Sequence, residues 1–148
     1  MRTEDIMRTV VVGVDGSEHG DVALAFAAEE AALRGAVLRI VCAWRLPSNM
    51  TMDLGLVPGL FESFRGESEA IVADALAKVE ELRPGLVCEA KAVEGHAGTV
   101  ILEEAHDADM VVVGSRGRGE LAGRMLGSIS QHIINHSPCP VAVVPIRH

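Results

Sequence analysis

The period of the hydrophobic positions changes repeatedly along the chain. Residues 9–14 read TVVVGV, an unbroken β-branched run of the kind found in a strand buried on both faces. Asp15, Gly16 and Ser17 follow as turn chemistry, and Ser17 is suited to cap a helix. From residue 18 to 34, Leu24, Ala27, Ala28, Ala31 and Ala32 fall at helical spacing, and Gly35 stands where the chain would leave the helix. Residues 37–44 predict a second strand. Residues 45–59 contain Pro47, Gly55, Pro58 and Gly59 and predict a long loop. The loop's Met50, Met52, Leu54 and Leu56 suit it to fold over an apolar surface.

A helix is predicted over residues 60–83, with Val72, Ala75, Leu76, Val79 and Leu82 on one face and Pro84-Gly85 as its stop. Residues 86–93 predict a third strand, and its Glu89 and Lys91 place it at an edge. Ala97, Val100, Ile101 and Ala105 mark a short helix, and residues 109–113 a fourth, fully buried strand. A glycine-rich loop runs from 114 to about 124. Leu126, Ile129 and Ile133 mark a last helix ending near His136, and residues 140–145 a last strand.

Strands alternating with helices in this way predict an α/β fold. Its parallel sheet carries helices on both faces, joined by right-handed crossovers. The length of 148 residues suits a single domain over 9–148, preceded by a polar, flexible segment over 1–8. A chain of this length buries roughly two-thirds of the surface it exposes when unfolded. Its 49% hydrophobic and 23% charged residues are a globular composition. Thirteen basic against 21 acidic residues give a net charge of −8, which argues against nucleic acid or anionic lipid as partner. Phe26, Trp44, Phe61 and Phe64 are the only aromatic residues, too few for a base-stacking platform.

Cys42, Cys88 and Cys139 are odd in number and form no CxxC pair, so neither a disulfide framework nor a zinc ribbon is signalled. Cys42 and Cys88 read as small core residues. No leader pattern opens the chain and no run of 18 apolar residues occurs, so a cytoplasmic protein without a membrane partner is expected.

In an open parallel sheet, ligands bind beyond the carboxyl ends of the strands, where the winding reverses. Two loops there have unusual composition. Gly13, Val14, Asp15, Gly16 and Ser17 follow the first strand. After the fourth, residues 114–127 hold five glycines in fourteen positions, which lets backbone N–H groups approach an anion closely. Gly127 and Ser128 open a helix whose N-terminus suits a phosphate, with the Ser128 and Ser130 hydroxyls as further donors. Arg116, Arg118 and Arg124 against Glu120 make this loop +2 in a protein of −8. No lysine occurs in the loop, which excludes GxxxxGK[ST] and the usual NTP-hydrolysing loop. The first turn lacks G-x-G-x-x-G, and the second strand ends without a ribose-binding acid. Asp15 is then the polar anchor for a base or ribose, or else a turn-forming residue, with Gly13 and Ala43 leaving room for a flat ring.

Gly114-x2-Gly117-x9-Gly127-Ser128 resembles the G-2x-G-9x-G(S/T) signature of the ATP-binding branch of the universal stress protein family. The opening VVVGVDGS of residues 10–17 and the closing PCPVAVVP of residues 138–145 resemble that family's ends. The resemblance implies a five-stranded, Rossmann-like sheet in the order 3-2-1-4-5, with ATP, accompanied by Mg2+, between strands one and four. By motif position, Asp15 and the backbone near Ala43 would hold adenine and ribose. Gly114, Gly117, Gly127 and Ser128 would hold the phosphates, with Ser115, Arg116, Arg118, Ile129 and Ser130 nearby. It also implies a homodimer through the last strand, residues 141–144. One departure is Cys42-Ala43 where the family often has His-Val, which widens the adenine pocket; the loop 45–59 matches nothing in the family pattern.

His132 and His136, four apart with Cys139 behind them, lack an evident further ligand and read as helix-surface residues, so no metal site is expected. Asp15 and His19 stand beside no nucleophile at motif spacing. No residue is suited to positioning an attacking water. The expected function is therefore an ATP-binding regulatory module of the stress response, with an unidentified protein partner and slow or incidental hydrolysis. The alternatives are a weak ATPase or phosphotransferase using the same pocket, and an interaction module that binds AMP or a cyclic nucleotide.

Overall fold

A computed structural model describes residues 8–47, 58–117 and 126–147. The elements run β1 (Thr9–Gly13), α1 (Glu18–Arg34), β2 (Val37–Trp44), α2 (Leu60–Leu82), β3 (Cys88–Glu94), α3 (Ala97–Glu104), β4 (Met110–Gly114), α4 (Ser128–His136) and β5 (Val141–Val144). All five strands are parallel, in the order β3-β2-β1-β4-β5. β3 stands at an edge, as its charged residues predict, and β5 at the other.

The β-branched runs are continuous because both faces of the sheet are covered. Val10, Val12, Leu38 and Ile40 pack against α1 and α2, while Val11, Val41, Val111 and Val113 pack with Val100 and Ile101 of α3 and Ile133 of α4. Ala23, Ala27, Ala28 and Ala31 of α1 are fully buried, which lets that helix sit close on the sheet. Its ends follow the sequence closely. Ser17 accepts from the Gly20 N–H, and Gly35, at φ 62°, donates to carbonyls of the last turn.

Three expectations on apolar positions need correction. Leu76 and Leu82 are 38% and 49% exposed, because the buried stripe of α2 runs through Ser68, Val72, Ala75 and Val79 instead. Leu126 lies before α4, not within it, and is also exposed. The third strand begins at Cys88, two residues later than predicted. The expected flexible N-terminal segment, apart from Arg8, and Met50, Met52, Leu54 and Leu56 of the loop 45–59 lie outside the described residues. Among the described residues, no helix is long and apolar enough to cross a membrane.

Arg39 is a polar interruption in β2 that holds two edges of the domain together. Its guanidinium donates to Glu89 of β3 at 2.9 Å, to Asp107 at 2.8 Å and to the Glu104 carbonyl at the end of α3 at 2.8 Å. Hydrogen bonding to Asp107 raises the Arg39 pKa further, and the same contact lowers that of Asp107. Both carboxylates are half or more exposed and regain water when the arginine is removed. Arg39→Met is therefore expected to cost only about 1–2 kcal/mol. Because the folded-state pKa of Asp107 is depressed, its stabilising share is present above the unfolded value near ~3.9 and fades as pH falls through the folded value. Urea unfolding should show a constant wild-type advantage at neutral pH that shrinks below about pH 4.

Candidate functional site

The order β2-β1-β4 places the two unusual loops side by side beyond the carboxyl ends of β1 and β4. Between them opens a crevice of about 510 Å3, counted out to its mouth. Of the sequence-predicted residues, Gly13, Val14, Asp15, Ala43, Gly114, Arg116, Gly117, Ile129 and Ser130 line it. Ser115, Gly127 and Ser128 adjoin it in the chain, while Arg118 and the loop's Arg124 lie outside the described residues. Gly20, Val41, Ala97, Ile101 and Val113 also line the crevice and were not singled out from the sequence as site residues. Ala97 and Ile101 belong to an apolar stripe that reads simply as core; the small residues of Gly95-His96-Ala97-Gly98 are the signal that the start of α3 approaches something.

On the β1 side, Asp15 closes a turn. Its Oδ1 accepts from the Ser17 N–H at 3.0 Å and from the Ser17 hydroxyl at 2.5 Å, and Ser17 in turn caps α1. Turn formation and a place on the crevice wall are thus combined in one carboxylate. Gly16 completes the turn at φ +83°, a backbone conformation that side chains rarely adopt.

On the β4 side, three hydrogen bonds clasp the ends of the glycine-rich loop. The Ser115 N–H donates to the Val144 carbonyl at 3.1 Å, and the Gly127 N–H donates to the Ser115 carbonyl at 2.8 Å. The Ser130 hydroxyl donates to the Gly114 carbonyl at 2.8 Å. Two of the expected phosphate donors are therefore otherwise engaged. Ser130 is only 3% exposed and its hydroxyl proton ties α4 to the end of β4, so its direct role is structural. Replacing it with alanine removes this bond and should cost about 1–2 kcal/mol, read by denaturant unfolding at unchanged m-value.

The start of α4 differs from that of α1. α1 has a serine cap and Glu18 and Asp21 in its first turn, which answer its N–H groups and dipole. α4 begins at Ser128 after Gly127 as N-cap residue, without a side-chain cap hydrogen bond and without an acidic residue in its first turn. The N–H groups at the start of α4 thus form a positive end next to Arg116 and the crevice. The rest of the wall is aliphatic: Val41, Ala43, Ile101, Val113 and Ile129. Cys42 points to the opposite face, into a second cavity with Trp44 and Phe64. Any widening of the first crevice by the Cys42-Ala43 pair therefore comes from Ala43 alone.

The backbone of His19 lies against Gly114, and its Nδ1 is buried without a hydrogen-bond partner among the described residues. No three His, Cys, Asp or Glu side chains among the described residues converge in a way that could cage a metal ion.

The sequence profile described as the Universal stress protein family matches residues 7–145. A universal stress protein of Mycolicibacterium smegmatis is 33% identical over 141 residues, which is 93% of this chain and 46% of that protein. The chain thus spans about half the length of this curated relative. A universal stress protein solved in complex with cAMP is 30% identical, with a TM-score of 0.69 over 93% of this chain and 96% of that one. The universal stress protein from Archaeoglobus fulgidus solved with dAMP shares the fold, at 24% identity and a TM-score of 0.66 over 96% of this chain and 98% of that one. Profile, relatives and fold agree, and the chain belongs to the universal stress protein family.

Proposed function

We propose that the crevice between β1 and β4 binds an adenine nucleotide, ATP with Mg2+ in the first reading, and that the chain acts as a cytoplasmic regulatory module of a stress response. The observation that carries this reading is the start of α4 beside Arg116, without an acidic residue in its first turn, facing Asp15 across an aliphatic crevice. A base lies against Val41, Ala43, Ile101 and Val113, and Asp15 accepts from the base or ribose. Phosphate oxygens meet the α4 N–H groups and the arginine, as anions do at helix N-termini. Mg2+, a hard cation, would be held through the nucleotide's phosphates and would offset part of their charge.

In this reading the crevice binds without catalysing, because Asp15 is committed to its turn, where it accepts from the Ser17 N–H and hydroxyl. Hydrolysis is accordingly slow or incidental. β5, half-buried at the sheet edge, pairs with a second copy in this reading, which also covers an edge that would otherwise invite aggregation. Light scattering of a Val143→Lys variant tests that pairing, with a monomer as the expected result.

Denaturing the purified protein and identifying released nucleotide by chromatography tests the ligand. An adenine nucleotide near one per chain supports the reading; none released, with no affinity for added ATP, AMP or cAMP, sinks it. Gly127→Val with Ser128→Ala is expected to abolish binding, and binding that survives would place the phosphates elsewhere. The complex of the 30%-identical relative with cAMP favours a second reading, in which the same α4 N-terminus grips a monophosphate or cyclic phosphate. Competition calorimetry of ATP against AMP and cAMP separates the two.

A further inference from the structure

Six histidines occur in the chain, and the fold gathers four of them, His96, His106, His132 and His136, on the outer surface shared by α3 and α4. His132 and His136 are one helical turn apart, and their ring centroids stand 4.5 Å from each other. The ring of His96, which precedes α3, meets that of His132 edge-on at 6.3 Å. Glu103 and His106 of the α3 side line the same open cleft as His132 and His136.

We infer that His132 and His136 form an open two-imidazole chelate for a divalent transition cation of the zinc, nickel or copper(II) kind. Histidines at i and i+4 project from one face of a helix, the spacing by which helical zinc sites present a pair of imidazoles. The tautomer of one ring is fixed by its surroundings. His136 Nδ1 lies 2.9 Å from the His132 carbonyl, which can only accept, so Nδ1 carries the proton and Nε2 holds the lone pair a metal needs.

The other ring has a seat made for it. A Cβ at position 98 would come within 2.7 Å of His132 Cδ2, so Gly98 of α3 leaves the space in which this imidazole sits. Imidazole nitrogens select zinc, nickel or copper over magnesium or calcium. Because no three ligating side chains converge among the described residues, water completes the coordination and the site is open. The cleft shares no lining residue with the crevice between β1 and β4, and the site does not rest on the nucleotide reading.

The test is calorimetry of the full chain, freed of nucleotide and kept reduced with a non-chelating phosphine, titrated with Zn2+ and with Ni2+. One equivalent bound at neutral pH is expected. His132→Ala and His136→Ala should each weaken binding at least about tenfold, with Cys139→Ser and His148→Ala unchanged. Gly98→Ala should weaken it as well, by displacing the His132 ring without removing a ligand. Should an alanine variant misfold, substoichiometric Ni2+ added to the wild-type chain should broaden the ring resonances of His132 and His136 before those of the other histidines. Absence of binding, binding unaffected by the double His132→Ala, His136→Ala variant, or broadening that begins elsewhere overturns the inference.

Discussion

Truncating Ile133 to alanine is expected to lower stability by about 2–5 kcal/mol, a fall in Tm of order 10 °C for a chain of this size. Ile133 is fully buried, and it is the α4 side chain that closes the apolar layer formed with Val11, Val41, Val100, Ile101, Val111 and Val113. The flanking Ile129 is only partly buried and Ile134 is 45% exposed, so neither can take its place. The neighbouring strands are short and β-branched, which limits how far they can collapse into the space left behind. The same change should weaken nucleotide binding more than its distance from the crevice suggests, because α4 carries the N–H groups assigned to the phosphates. Denaturant unfolding and calorimetry with ATP or AMP measure the two effects. A loss below about 1 kcal/mol would mean that α4 is not docked as described.

The second large effect is expected at Gly114, the last residue of β4. A Cβ there would stand 2.7 Å from the His19 carbonyl oxygen and 3.0 Å from its carbon. Both are backbone atoms held by α1, so no rotamer change relieves the contact. Gly114→Val should cost about 3 kcal/mol or more, at the upper end for an overpacked site, and should separate the two walls of the crevice. Gly13 provides the contrast. Its Cβ would come within 2.5 Å of Ile101 Cδ1, the far end of a flexible side chain. Gly13→Ala should therefore stay below about 1.5 kcal/mol while pushing Ile101 into the crevice. Loss of affinity without loss of fold is the expected signature, measured by calorimetry alongside thermal unfolding. An unaltered Tm for Gly114→Val would refute the close approach of α1 to β4.

These glycines illustrate how much of the molecule could be read from the sequence. The order of elements and the two ligand-side loops were legible because runs such as residues 9–14 and caps such as Ser17 and Gly35 carry local physical signals. Ala97 and Ile101 were not legible as site residues, since an apolar residue on a helix reads the same whether it faces a core or a base. Nor was the role of Ser130: a serine in the first turn of a helix reads as a donor to a ligand, and only the positions of Gly114 and Ser115 show where its proton goes. Leu76 failed for another reason. In a long helix the face that meets the sheet is selected by packing, and a serine, Ser68, belongs to the buried stripe in preference to that leucine.

The bond from the Gly127 N–H to the Ser115 carbonyl has a consequence for how this protein can change over time. It fixes both ends of the eleven residues from 116 to 126 irrespective of what lies between them. The closure entropy of a chain segment held at both ends grows slowly with its length, by only about 0.6 kcal/mol per doubling. Insertions, deletions and charge changes there can accumulate while β4, α4 and the crevice floor keep their geometry. Relatives can thus differ in the length and charge of this one tethered stretch, with the stability of the domain left almost untouched.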